Sequence, residues 1–247
     1  MKKSKIFAVV EARMTSSRLP GKVLLEAGGK PLLEHLILRL KSVKSLTGIV
    51  LATTINDDDD ILEEFALKNE IEVYRGSEDD VMIRVIEAAE SVNADIIVEI
   101  TGDCPIIDPQ LVEQTIKVFE ANGADYVSNN NIKSYPDGMD TQVFWLDVLK
   151  KSASMTSNKL DHEHVTLHIR QNPQLFSQLN LIAPPEICWP ELGLTLDEHD
   201  DYILLKKIIE SIGHQNQLFS CLDVVNFLKK NSDLVSLNDA VVRKGDT

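Results

Sequence analysis

Short, evenly apolar runs alternate along the chain with longer stretches in which apolar residues recur every three or four positions. Residues 6–10, Ile-Phe-Ala-Val-Val, are too short and too uniformly apolar for a surface helix and read as a buried strand. After a polar loop, Leu32, Leu33, Leu36, Ile37 and Leu40 recur at helical spacing, with Pro31 suited to a first turn. The alternation continues with strands over 49–52, 71–74 and 96–100 and with helices over 57–68 and 79–92. Pro109 opens a further helix, and 124–127 resumes the sheet. Repetition of this kind predicts an α/β fold: a mostly parallel sheet with helices on both faces.

The regularity breaks after Ser128. Residues 129–131 and Tyr135-Pro136-Asp137-Gly138 are rich in turn formers, and 142–145 has the look of a strand of another kind. The expectation is a single domain over residues 1–247 carrying an inserted hairpin and helix over 130–185. The sheet is expected to return at 193–196, followed by a helix over 198–212, an amphipathic helix over 224–230 and a polar tail.

Composition narrows the partners. The 247 residues carry 25 Lys and Arg against 39 Asp and Glu, a net charge of −14. So acidic a chain repels polyanions at long range, which disfavours general nucleic-acid binding and makes any local basic cluster informative. No apolar stretch approaches a membrane span, and Glu11 and Arg13 interrupt the first apolar run where a leader would continue. Cys104, Cys188 and Cys221 are odd in number, far apart and without metal-ligand spacing, so a reducing cytoplasm fits.

In a doubly wound sheet, ligands bind beyond the carboxyl ends of the strands, so polar residues just after strands carry the functional signal. Residues 11–22, Glu-Ala-Arg-Met-Thr-Ser-Ser-Arg-Leu-Pro-Gly-Lys, follow the first strand. They set Arg13, Arg18 and Lys22 among small hydroxyl residues. That chemistry answers a polyphosphate, although a plain solvated basic loop would read the same. The spaced glycines of a P-loop are missing. Asp103, in Thr-Gly-Asp-Cys-Pro after the fourth strand, can hold Mg²⁺ against phosphate oxygens or merely cap a turn. Asp197 follows a short apolar run and precedes a helix, so it is a second metal ligand or a helix N-cap.

The loop 11–22 resembles the signature loop of the CMP-sugar-acid synthetases, which include the CMP-Kdo and CMP-sialic acid synthetases. Gly29-Lys30-Pro31-Leu32 fits the next element of that family, and Arg75-Gly76-Ser77-Glu78-Asp79-Asp80-Val81, Tyr135-Pro136-Asp137-Gly138 and the segment 161–166 extend the likeness. The chain is most similar to the cytidylyltransferase group associated with spore-coat polysaccharide synthesis. The resemblance implies a Rossmann-like nucleotide-diphospho-sugar transferase fold and a homodimer built near 130–185. It places Ala12, Arg13, Ser16, Ser17, Arg18 and Lys22 on the nucleotide, with Arg75 and Ser77 near its base or ribose. It makes Asp103 and Asp197 the ligands of Mg²⁺ or Mn²⁺, and Asp137, Asp140 and His164 candidates for the acceptor. The implied reaction joins CTP to the anomeric hydroxyl of a sugar acid and releases pyrophosphate, with Arg13, Lys22 and Asp103 as its catalytic groups. Relatives that carry an additional Asp two residues before Asp197 have Thr195 here, which leaves the number of metal carboxylates open.

Other readings remain beside this one. Another nucleotide or acceptor would use the same loop. A glycosyltransferase would show a paired DxD, which Gly-Asp-Cys-Pro at 102–105 is not, and a sugar-binding protein would not need two separate carboxylates beside a cationic loop. His164 and His168 have the helical spacing of metal ligands, with Asp161, His162 and Glu163 beside them, but a zinc site needs at least one more ligand, so an exposed or substrate-facing helix is the favoured reading. Residues 57–60, four consecutive aspartates, read as a solvated helix start, and Cys104 as a small buried filler.

Overall fold

The computed structural model describes residues 4–243. Strand β1 (Ile6–Glu11) pairs in parallel with β4 (Gly48–Thr54) on one side and β6 (Ile96–Thr101) on the other. It is therefore covered on both edges and both faces, which is why its residues read as a continuous apolar run. Between β1 and β4 lie a small antiparallel pair, β2 (Glu26–Ala27) with β3 (Lys30–Pro31), and helix α1 (Leu32–Lys41). Helix α2 (Asp60–Lys68) leads to β5 (Glu72–Gly76), α3 (Val81–Ser91) to β6, and α4 (Pro109–Asn122) to β7 (Tyr126–Ser128). The remaining elements are β8 (Gln142–Trp145), α5 (Leu146–Met155), α6 (Lys159–Glu163), α7 (Leu167–Gln171), β9 (Gln178–Asn180), α8 (His199–Ile212), α9 (Cys221–Lys230) and α10 (Ser232–Val235). The sheet order is β5-β4-β1-β6-β8-β7-β9, and only β8 runs antiparallel to its neighbours.

Helices cover both faces, as the alternation predicts. On one face Leu33, Leu36 and Ile37 of α1, Leu62 and Phe65 of α2 and Ile116 and Phe119 of α4 pack on Ala8, Val10, Leu51 and Val98. On the other, Val85 and Ala89 of α3 and Leu149 of α5 pack on Phe7, Val9, Val50 and Ile97. Local signals agree with the packing. Asp108 accepts from Gln110 N at the start of α4, Pro109 occupies the first turn, and Gly123 ends the helix at φ +65°.

Two expectations are corrected. In place of a hairpin and one helix, the segment 130–185 holds two strands that do not pair with each other and three helices; β8 joins the sheet between β6 and β7, and β9 forms the sheet's last strand. The reason is burial on both faces, since Val143 enters one core cluster and Phe144 the other. Residues 193–196 do not rejoin the sheet. They make a single bridge, Asp137 to Gly193, with Leu194 N donating to Asp137 O at 2.7 Å and Leu196 N to Asp103 O at 2.8 Å. Leu192, Leu194 and Leu196 instead bury against α8 and α9 in a third cluster. The polar tail also holds structure, because α10 and the residues through Arg243 pack back on the body; 244–247 lie outside the described residues. Among the described residues no helix is long and apolar enough to cross a membrane.

Candidate active site

The carboxyl ends of β1 and β6 open onto a cavity of about 420 Å³, a size suited to a small ligand. The loop after β1 forms one wall. Its fold is held by Gly21, at φ +71°, whose N–H donates to Met14 O at 2.9 Å, and by Asp59, which accepts from Met14 N at 2.6 Å. Asp59 is completely buried and also accepts from the Thr54 hydroxyl, so the expected solvated run at 57–60 contains a structural anchor. The single turn of 3₁₀ helix at Asp57–Asp59 draws this one carboxylate inward while Asp57 and Asp58 stay at the surface.

Lys22 stands at the centre. Its ammonium donates to Asp103 Oδ2 at 3.0 Å and to Asp197 Oδ1 at 3.2 Å, with 12% of its side chain exposed. Arg18 reaches the same Asp197 oxygen at 2.6 Å and Glu198 at 3.8 Å. Burial alone would lower the Lys22 ammonium, yet the two aspartates hold it above its ordinary value. Burial likewise opposes charge on Asp103, and the Lys22 charge with hydrogen bonds from Lys22 and the Thr101 hydroxyl keeps it below the usual carboxylate range. Asp103 thus sits at the tip of β6 and Asp197 ahead of α8, joined through one cation.

The predicted residues divide. Lys22, Arg18, Asp103 and Asp197 converge, and Asp137, Asp140 and His164 line the same cavity. Asp137 lies on the Asp137–Gly193 bridge, where burial raises its carboxyl and Arg243 opposes that rise. His164 ends α6, and the next residue, Val165, has φ +46°, a rare state for a β-branched side chain. That turn separates α6 from α7. His164 and His168 are consequently not on one helix, and His168 Nδ1 pairs with the Ser152 hydroxyl at 3.0 Å. Ala12 is buried beneath the loop, Ser16 is half-buried and Ser17 exposed.

Three candidates turn elsewhere. Arg13 points outward to Glu78 Oε1 at 3.0 Å. Arg75 clamps β5 to α2 through Asp60 and Glu63 at 2.6 and 3.1 Å, and donates to the backbone oxygens of Thr54 and Asn56. The Ser77 hydroxyl accepts from Asp80 N at the start of α3. Their neighbouring acids and backbone groups outcompete the cavity for their polar atoms.

Several site residues were missed. Glu78 ties the loop together, accepting from Arg13, Thr15 and Asn56. On the cavity floor Glu11 and Glu99 face one another. Burial pushes both carboxyls up, and Glu99, which also faces Glu11, is held well above the usual range. The Gln142 amide donates to Glu99, because its oxygen is taken by the Tyr126 and Thr166 hydroxyls at 2.6 Å each. A glutamate within an apolar strand, as in Ile-Val-Glu-Ile, was the available signal for Glu99. Cys104 is buried and its thiol pushed well up, which leaves it an inert filler.

The donor set suits a hard divalent cation. Two carboxylates lie within reach of one cation position, as the Lys22 ammonium demonstrates, and Mg²⁺ is commonly held by one or two carboxylates with substrate phosphates. Among the described residues no group of three or more His, Cys, Asp or Glu forms a self-sufficient metal cage.

Comparison with known proteins gives the family and the fold. A family model described as cytidylyltransferase matches residues 7–222. The structure of a cytidylyltransferase from Leptospira borgpetersenii superposes with a TM-score of 0.90 and 31% identity, covering 98% of this chain and 100% of that one. The spore coat polysaccharide biosynthesis protein SpsF of Bacillus subtilis is 32% identical over 95% of this chain and 98% of its own. A 3-deoxy-manno-octulosonate cytidylyltransferase of Geobacter metallireducens is 27% identical over 73% and 80%, respectively. The architecture is the Rossmann-like nucleotide-diphospho-sugar transferase fold.

Proposed function

This chain belongs to the cytidylyltransferase family, and from that membership we propose that it couples CTP to the anomeric hydroxyl of a 3-deoxy-ulosonic sugar acid, giving a CMP-sugar and pyrophosphate for cell-surface or spore-coat polysaccharide synthesis. The observation that carries the reading is the meeting of Lys22 with Asp103 and Asp197, two of the residues that line the cavity. The acceptor class is supported by the named octulosonate enzyme among its relatives and by a cavity of mixed charge, in which Arg170, Lys133 and Arg243 face Asp137, Asp140 and Glu163. A sugar acid presents both a carboxylate and hydroxyls, and such a surface has partners for each.

In this reading Arg18 and Lys22 exchange their carboxylates for phosphate oxygens and neutralise the charge that grows on the leaving pyrophosphate. Ser16, Ser17 and the amides near Ala12 lie along the same loop as further phosphate partners. Asp103 and Asp197 would hold Mg²⁺ or Mn²⁺, which would supply Lewis-acid charge to the phosphoryl transfer. Thr101 keeps Asp103 oriented through its 2.6 Å hydrogen bond. Asp137, Asp140 and His164 orient the acceptor, and no covalent enzyme intermediate is required. The homodimer near 130–185 is part of the same proposal, supported by the exposed Ile132, Leu160, Leu175 and Ile182 in that segment.

The test is pyrophosphate release with each of the four ribonucleoside triphosphates and Mg²⁺ against a panel of sugar acids that includes Kdo and N-acetylneuraminate. Release with CTP and one sugar acid, lost in Asp103→Ala, is expected. Release with another triphosphate overturns the cytidylyl assignment, and transfer from a preformed nucleotide sugar overturns the reaction class.

A further inference from the structure

The C-terminal segment reaches the centre of the site. Arg243 donates through Nη1 to the Thr195 hydroxyl at 2.5 Å and through Nη2 to Asp201 Oδ1 at 2.9 Å. Its Nε lies 3.5 Å from Asp137 Oδ2, and Nη1 lies 4.0 Å from Asp197 Oδ2. Asp201 is completely buried, and both its oxygens are used. Oδ2 accepts from the backbone N–H groups of Asp197 and Glu198 at 3.0 and 2.9 Å, while Oδ1 accepts from Asn238 at 2.7 Å and from Arg243. A buried carboxylate keeps such a role only while its charge is matched. The seat is shaped for the arginine as well: a Cβ placed on Gly193 would lie 1.8 Å from Nη2 and 2.0 Å from Cζ. Asn238 donates to Gly193 O at 3.0 Å, which fixes the segment where it enters.

We propose that Arg243 is a positioning residue of the active site, holding Asp197 in place through Asp201 and holding Asp137 directly, so that the metal-side and acceptor-side carboxylates are set by one guanidinium. The proposal rests on the metal role given to Asp197 above. Its structural half stands on the contacts alone. A primary amine at the same place can neutralise Asp201 but cannot span Asp201, Thr195 and Asp137 together.

The experiment uses the full chain with Arg243→Ala, Arg243→Lys and Gly193→Ala. The last keeps the arginine and removes its seat, so it carries the test should Arg243→Ala fold poorly. Amide exchange over residues 193–201 is measured without nucleotide, and Mn²⁺ affinity is measured by electron paramagnetic resonance with and without CTP. The Asp197 and Glu198 amides are expected to exchange about tenfold faster in Arg243→Ala and Gly193→Ala, with partial recovery in Arg243→Lys. Mn²⁺ is expected to bind about tenfold more weakly in the same order of variants. Faster exchange confined to 238–243, with 193–201 and Mn²⁺ affinity unmoved, would reduce Arg243 to a tail anchor and overturn the proposal. Failure of the wild-type chain to bind Mn²⁺ in either condition would instead overturn the metal role of Asp197, and the exchange result would still decide the positioning.

Discussion

Replacing Lys22 by Met removes one charge from between two acids, and the consequence can be worked from the contacts. The Asp103 and Asp197 oxygens at 3.0 and 3.2 Å from Nζ are at most about 6 Å from each other. At an effective dielectric constant near 20, two like charges at that separation repel by about 3 kcal/mol, a repulsion that the Lys22 ammonium offsets in the wild type and that its removal leaves uncompensated. Arg18 still neutralises part of Asp197 through its 2.6 Å contact, so the expected net loss of stability is about 2 kcal/mol. For a chain of this size that is about 4–8 °C in melting temperature. Millimolar Mg²⁺ is expected to close this gap, because the variant offers both carboxylates without a competing ammonium, whereas the wild type must first displace Lys22. Turnover is expected to fall by about 10²–10³ even at saturating Mg²⁺, since the cation proposed to meet the phosphates is gone. The assay is paired thermal melts with and without Mg²⁺, followed by pyrophosphate release. A variant that melts with the wild type, or that Mg²⁺ stabilises no more than the wild type, refutes the reasoning that one site serves ammonium and metal alike.

Glu99→Gln tests the cavity floor. The folded carboxyl is held well above its usual value of 4.5, so its contribution is intact below that pH and is lost as pH rises through the folded value. The variant is therefore expected to gain in melting temperature over the wild type as pH rises above the ordinary range, and a constant difference across pH would contradict a protonated Glu99. Glu78→Gln weakens the contacts to Arg13, Thr15 and Asn56 and is expected to raise KM for CTP by about fivefold with little change in melting temperature. Arg75→Ala is expected to lower the melting temperature while KM for CTP stays put; a raised KM would return Arg75 to the nucleotide.

The sheet was legible because a strand buried on both faces has no polar period, and the helices between strands announce their apolar stripes. The loop 11–22 and Asp103 were legible because they stand at strand tips, where polar residues have few structural reasons to be. Residues 193–196 misled for a physical reason: a run that buries Leu192, Leu194 and Leu196 against α8 and α9 has the same alternation as a strand in the sheet. Asp59 could not be told from its three acidic neighbours, because the difference between them is which one the helical turn points inward. Arg75 was an honest ambiguity of charge, since a guanidinium after a strand serves a nucleotide or a neighbouring acid equally well. Arg243 lay beyond any local pattern. Its meaning depends on Gly193, Thr195 and Asp201, all far away in sequence.

The charge balance of the centre explains why these distant parts need one another. Around Asp197, three cations, Arg18, Lys22 and Arg243, face Asp103, Asp137, Asp197, Glu198 and Asp201. The acids already outnumber the bases, and a nucleoside triphosphate brings more negative charge, so its approach works against the charge balance of this centre unless a further cation accompanies it. Cation-rich sequence after β1 therefore argues only half of the chemistry. The carboxylates that compete for Lys22 and Arg18 are the same groups that would hold a divalent ion, and each charge the ion takes over releases a basic side chain toward the phosphates. Arg243 stands apart from this exchange. Its partner Asp201 is buried and accepts from the backbone N–H of Asp197, so under the proposed exchange it keeps its pairing while the loop cations trade partners.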